Sequence, residues 1–141
     1  MAVCCVRETY MREILDHRVN ECNEQLRVDV LDQPGPGGAC HHYRIAGYDE
    51  AANPGREDPC DNAGGVHLLF QNGPIGEVGT NGITHEALLA VLIDRLRGFQ
   101  AGAYACQENE QALVKLIEAQ QWLQGRTRAR VARGVEGSHA V

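Results

Sequence analysis

Apolar residues along the chain fall into patterns whose period changes twice. Over residues 7–26, Met11, Ile14, Leu15, Val19, Cys22 and Leu26 recur every three or four positions, with charged or polar residues between them. That spacing predicts an amphipathic surface helix. Residues 27–31 then alternate, which predicts a short strand, and residues 42–48 and 66–71 predict two more. Between the first two strands, residues 33–38 hold two Pro and three Gly, which continue neither a helix nor a strand and predict a loop. Residues 49–65 are acidic and rich in Pro, Gly and Asn, which predicts a long exposed excursion. Residues 72–82 read as a turn-rich connector.

The helical period returns in the second half. Thr84 is a good N-cap, and Glu86 sits in the first turn, where the helix dipole favours an acid. At 100° per residue, Leu88, Leu89, Leu92, Ile93, Leu96 and Phe99 share an arc of about 140°, so residues 85–100 should form a core-facing helix. A short turn from Gly102 to Cys106 leads to a second helix over about residues 108–133, with Leu113, Leu116, Ile117 and Leu123 on its apolar face. Gly125 inside it costs about 1 kcal/mol against Ala and so predicts a bend or a close approach. Two helices joined by a short loop pack as an antiparallel hairpin. One hairpin buries its faces poorly alone, and pairing with a second copy gives a four-helix bundle. The expected fold class is α+β: a small antiparallel β-sheet with an N-terminal helix, plus a C-terminal antiparallel α-helical hairpin that dimerises. Residues 1–82 would form the sheet part and 83–141 the hairpin with its basic tail, as a single compact unit.

Charge sharpens this picture. The 141 residues carry 13 basic and 19 acidic side chains, for a formal charge of −6. Residues 1–70 hold six basic and twelve acidic residues, whereas residues 71–141 hold seven of each. An acidic total argues against binding long nucleic acids. No run of about 18 apolar residues exists, which argues against a membrane-spanning helix, and the first residues lack the pattern of a signal peptide. The six Cys, at 4, 5, 22, 40, 60 and 106, show no C-x-x-C pair and read as reduced thiols. Cys40, His41 and His42 with Cys60 are the one conceivable metal set, but three adjacent residues turn poorly toward one ion, so no metal is expected. No Cys–His or Ser–His signature for nucleophilic catalysis appears, and no cofactor is expected.

The candidate chemistry lies in the hairpin. Arg126, Arg130 and Arg133 fall within about 60° of one another on a helix, while Arg128 points to the far side. Three guanidinium groups on one stripe suit a phosphate or pyrophosphate; Arg near a helix C-terminus also simply complements the dipole. Phe99 and Asn109 flank the turn, and an aromatic face with an amide suits a nucleobase; Phe99 also fits the core arc. Seventeen residues separate Asn109 from Arg126, about 25 Å along a helix, so the two groups meet only across an antiparallel homodimer. Residues 72–74 and 79–82 have the glycines of a phosphate-cradling loop, or of a plain turn, and neither is a P-loop.

The blocks FQNGPIGEVGTNGITHEALLAVLIDRLRGFQAG (70–102), QENEQAL (107–113) and RTRARVARGVEG (126–137) resemble the Thoeris anti-defence one family of phage proteins. HHYRI (41–45) looks like one of its earlier strands. The resemblance covers about residues 66–140. It implies a non-enzymatic sponge that binds glycocyclic ADP-ribose, the signal made by the TIR-domain protein of Thoeris immunity, in the cytoplasm of the infected bacterial host. Sequestering that signal intact leaves the NAD-depleting effector inactive. It further implies a small sheet plus a helical hairpin, a homodimer and in some members a hexamer. Some members bind cyclic di- or trinucleotides at separate sites. By the same resemblance Phe99 would stack on adenine, Asn109 would hydrogen-bond the ligand, and Arg126 and Arg130 would hold base and diphosphate. Thr127 and Arg133 extend that set by spacing. Ser138 stands where the family pattern has Thr, and the acidic 49–65 stretch is longer than in shorter members. Two other classes remain open: a hydrolase or phosphodiesterase using His85 or His139 as base, and a bundle that inhibits a defence protein by binding it.

Overall fold

The computed structural model describes residues 11–21, 23–56 and 65–140. The opening segment read for a signal peptide, Cys4, Cys5, Cys22, Cys60 and the acidic residues 57–64 lie largely or wholly outside them. The chain divides into two compact units, one ending at Asn72 and the other beginning at Gly73.

The first unit is a four-stranded antiparallel meander. Strands β1 (Arg12–Ile14), β2 (Arg27–Val30), β3 (His42–Ala46) and β4 (Val66–Leu69) lie in the order β1-β2-β3-β4. The three expected strands are β2, β3 and β4, each within a residue or two of the alternating pattern. The N-terminal helix expected over 7–26 is not formed in the described part of that range. Arg12 pairs with Val30 and Ile14 with Val28, so the first apolar residues are spent on a strand. Turns follow. Asn23 accepts from the backbone N–H of Val19 through its side-chain oxygen and donates through its amide to the carbonyl of His17. His17 in turn reaches the Leu26 carbonyl at 2.8 Å. Side chains that satisfy backbone groups this way compete with a helix. Val19 is 87% exposed, so the three-to-four spacing faces no core.

The register sorts side chains by face. Val30 lies opposite Tyr43, and Tyr43 opposite Leu68, on a face where Val30 is fully buried. The Tyr43 and Phe70 rings meet edge to face, 5.7 Å apart. The other face carries a row across all four strands: Glu13, Asp29, Arg44 and His67. Asp29 is fully buried there, with Arg27 Nε at 2.7 Å and Arg44 Nη2 at 2.9 Å. Burial pushes its carboxyl pKa up, and the two guanidinium groups outweigh that, so it titrates below the ordinary carboxylate range. The Pro/Gly loop after β2 is tied by Asp32, whose carboxylate accepts from the N–H groups of His41 and His42. Gly47, at φ +92, turns the chain out of β3, and a Cβ there would stand 2.0 Å from the Gln25 carbonyl oxygen.

The second unit is the hairpin. A four-residue turn of helix, α1 (Ile75–Val78), precedes α2 (His85–Gln100) and α3 (Gln107–Ala132). The expected connector thus contains a helical turn that its glycines obscured. Thr84 Oγ1 accepts from the Ala87 N–H at 3.1 Å, the cap that the sequence predicts. Both long helices follow the expected boundaries within a residue. Gly125 makes no bend: α3 is continuous, and a Cβ there would meet nothing within 4 Å. Ile93 is the buried core residue of α2, and no described residue of α3 is fully buried. Val91, Leu92, Val114, Trp122 and Val131 are exposed, Trp122 by 75%.

Candidate functional site

The predicted site residues occupy two ends of one antiparallel hairpin. At the turn, Phe99 lies one residue before the end of α2, and Asn109 is the third residue of α3. The turn is braced. Gln100 Nε2 donates to the Cys106 carbonyl and Gln100 Oε1 accepts from the Cys106 N–H, both at 3.1 Å. Cys106 caps α3, its Sγ accepting from the Asn109 N–H, and Asn109 Nδ2 donates to the Tyr104 carbonyl at 3.4 Å. The Arg95 guanidinium lies over the Phe99 ring, 5.1 Å from its centre.

At the far end, Arg126 side-chain atoms are 60% exposed, and its guanidinium stands 4.0 Å from Glu86 on the first turn of α2. Gln120 ties the same turn by donating to the Glu86 carbonyl. Thr127 turns its hydroxyl back to the Leu123 carbonyl at 3.4 Å. Arg133 is the C-cap of α3.

Arg130 is placed differently. Its Nε donates to Glu136 at 3.0 Å, Nη1 to the Ala140 carbonyl at 2.8 Å, and Nη2 to the carbonyls of Val135 and Ser138 at 3.0 Å each. The tail after α3 therefore folds back around one guanidinium. Gly134 and Gly137, at φ +70 and +76, allow the reversals. The tail also reaches α1, where the Gly76 N–H donates to the Gly137 carbonyl and His139 lies 3.7 Å from Glu77. Spacing marked Arg130 but did not show this clasp, because its acceptors are mostly main-chain carbonyls.

Within one chain, then, the fold joins Arg126 to Glu86 and Arg130 to the tail. It does not bring Phe99 or Asn109 to either: α3 runs unbroken between them, for about 25 Å. Cys40, His41 and His42 do not converge as ligands either. His42 Nε2 instead meets His67 Nδ1 at 2.8 Å across β3 and β4. Among the described residues no group of three His, Cys, Asp or Glu is placed to hold a metal ion. No helix among them is long and apolar enough to cross a membrane.

Residues 65–128 match the family described as Acb2/Tad1, hairpin domain. A curated relative, Thoeris anti-defense 1 of Bacillus phage SBSphiJ7, is 50% identical over 70 residues, 50% of this chain and 49% of that protein. Over residues 65–128 the chain is thus similar to the Thoeris anti-defence family. The chain spans about half the length of the curated relative it matches. The family match takes in both ends of the candidate site as far as Arg128, so Phe99, Asn109, Arg126 and Thr127 lie inside the Acb2/Tad1 hairpin. Arg130 and Arg133 lie beyond it.

Proposed function

We propose that this is a phage anti-defence protein that binds the Thoeris signal glycocyclic ADP-ribose and holds it without cleaving it. The observation that carries the reading is the separation of complementary groups along α3. An aromatic ring and an amide sit at one end, and an exposed guanidinium at the other. A base and a diphosphate are matched by those two sets, and one chain does not offer them together. Two copies packed antiparallel do, twice over, by two-fold symmetry. The exposed Val91, Leu92, Val114 and Trp122 supply apolar surface for such a bundle. The working unit is then a homodimer, with a hexamer as a further assembly, acting in the cytoplasm of the infected host. Phe99, Asn109, Arg126 and Arg130 contact the ligand, Thr127 and Arg133 flank it, and cyclic di- or trinucleotides are secondary ligands.

Two measurements test this. Protein mixed with glycocyclic ADP-ribose and then denatured should release the ligand intact; a cleaved product would instead establish a hydrolase. Mixed dimers of Phe99→Ala and Arg126→Ala chains should regain one working site. No recovery of binding in the mixture would place the pocket within a single chain and sink the composite site.

A further inference from the structure

The turn between α2 and α3 carries an aromatic side chain that the binding reading does not use. Tyr104 is 77% exposed and stands edge to face with Phe99, with ring centres 6.3 Å apart and planes at 87°. Its backbone is held firmly. The Gly102 N–H donates to the Phe99 carbonyl, the Ala105 N–H to the Gly102 carbonyl, and Asn109 Nδ2 to the carbonyl of Tyr104 itself. Gln100 closes the turn through both of its bonds to Cys106. Phe99, by contrast, is half-buried and already has the Arg95 guanidinium over its ring. The open aromatic face at this end of the hairpin is therefore that of Tyr104.

We propose that Tyr104 is a purine-stacking residue of the nucleotide site, with Phe99 and Arg95 forming the wall beside it. This rests on the reading that the hairpin takes an adenine-containing diphosphate, and names a further residue that holds the base. Two rings at nearly a right angle make a corner. A flat base stacked on one ring meets the other edge to face, an arrangement that aromatic pairs favour. A tyrosine has few torsions to freeze, and this one sits on a braced turn, so ordering it on binding costs little. Asn109 then acts partly through Tyr104, because its amide holds the Tyr104 carbonyl.

The test is a calorimetric titration of glycocyclic ADP-ribose into the wild-type protein and the Tyr104→Ala, Tyr104→Leu and Tyr104→Phe variants. Stacking of a base on an aromatic ring predicts a loss of roughly 5- to 150-fold for the Ala and Leu variants, and a change within about threefold for Phe. The adenine H2 and H8 resonances of bound ligand should shift upfield by ring current in the wild-type and Phe proteins, and less in the Leu protein. Leu keeps apolar bulk without a ring, so a loosened turn does not mimic this signature. Wild-type binding matched by the Leu variant, or a Phe variant as weak as Ala, would overturn the role of Tyr104 alone. Failure of the wild-type protein to bind at all would overturn the functional reading and this inference with it.

Discussion

The clasp around Arg130 lends itself to a quantitative test. Four hydrogen bonds leave one guanidinium, three of them to carbonyls of residues 135–140 and one to Glu136. A net hydrogen bond contributes about 0.5–1.5 kcal/mol, and the lower half applies here because the tail is near solvent and its ion pair is screened. Replacing Arg130 by Lys keeps the charge but not the planar fork, since a Lys ammonium cannot point to this spread of acceptors. Roughly two to three of the bonds are then lost, about 2 kcal/mol, which raises the population of the opened tail about 30-fold. Hydrogen exchange on the native protein reads this directly. The N–H groups of Val135 and Ser138, and that of Gly76 on the Gly137 carbonyl, should lose protection by about that factor, while mid-helix amides of α2 keep theirs. Unchanged protection at those three amides in Arg130→Lys would refute the clasp. A uniform loss across α2 and α3 would show that Arg130 stabilises the whole hairpin rather than its tail.

Three further outcomes follow from the same structure. Asp29→Asn removes the negative charge and turns one of the two acceptor oxygens into an amide donor that faces a guanidinium, and should cost about 3 kcal/mol in urea unfolding, since it leaves charges half-buried without a counter-ion. Because the Asp29 pKa is lowered in the folded state, its contribution is complete above the ordinary carboxylate value, about 3.9, and fades as pH falls below it, so the variant should show a shallower acid limb. Gly47→Ala places a Cβ against the Gln25 carbonyl at a positive φ and should destabilise the sheet by about 1–3 kcal/mol or more, read as a lowered melting temperature. Gly125→Ala has open space within the chain and should stabilise α3 by up to about 1 kcal/mol as a monomer; in the proposed dimer it should weaken association if a second copy approaches there, and analytical ultracentrifugation separates the two.

Much of the hairpin was legible because local rules agree with one another there. Thr84, Glu86 and the apolar arc all point to one helix, and the Gly102–Cys106 turn to another beside it. The sheet was legible where two strands flank a breaker, as β2 and β3 flank the Pro/Gly loop. It was not legible at β1. Three residues carry no period, and Ile14 serves a strand as readily as a helix until the pairing with Val28 decides. The site shows the same division. Arg126 and Arg130 share a stripe, yet one reaches outward and the other is wrapped by the tail, a difference set by Gly134 and Gly137 rather than by the arginines. Tyr104 carries no such mark, because an aromatic in a turn has no periodicity to announce it.

Gln100 has a consequence for how two such chains would come together in the proposed homodimer. Its side-chain amide bonds both backbone groups of Cys106, much as one strand residue bonds its neighbour, and so closes the turn into a ring. Opening that ring is the step needed to straighten α2 and α3 into one rod and trade a helix with a neighbour. In the proposed homodimer each chain would therefore finish its own hairpin first and meet its partner as a completed piece. Assembly of that proposed dimer would be a plain bimolecular collision whose speed rises with concentration, and dilution should return folded hairpins rather than tangled, exchanged ones.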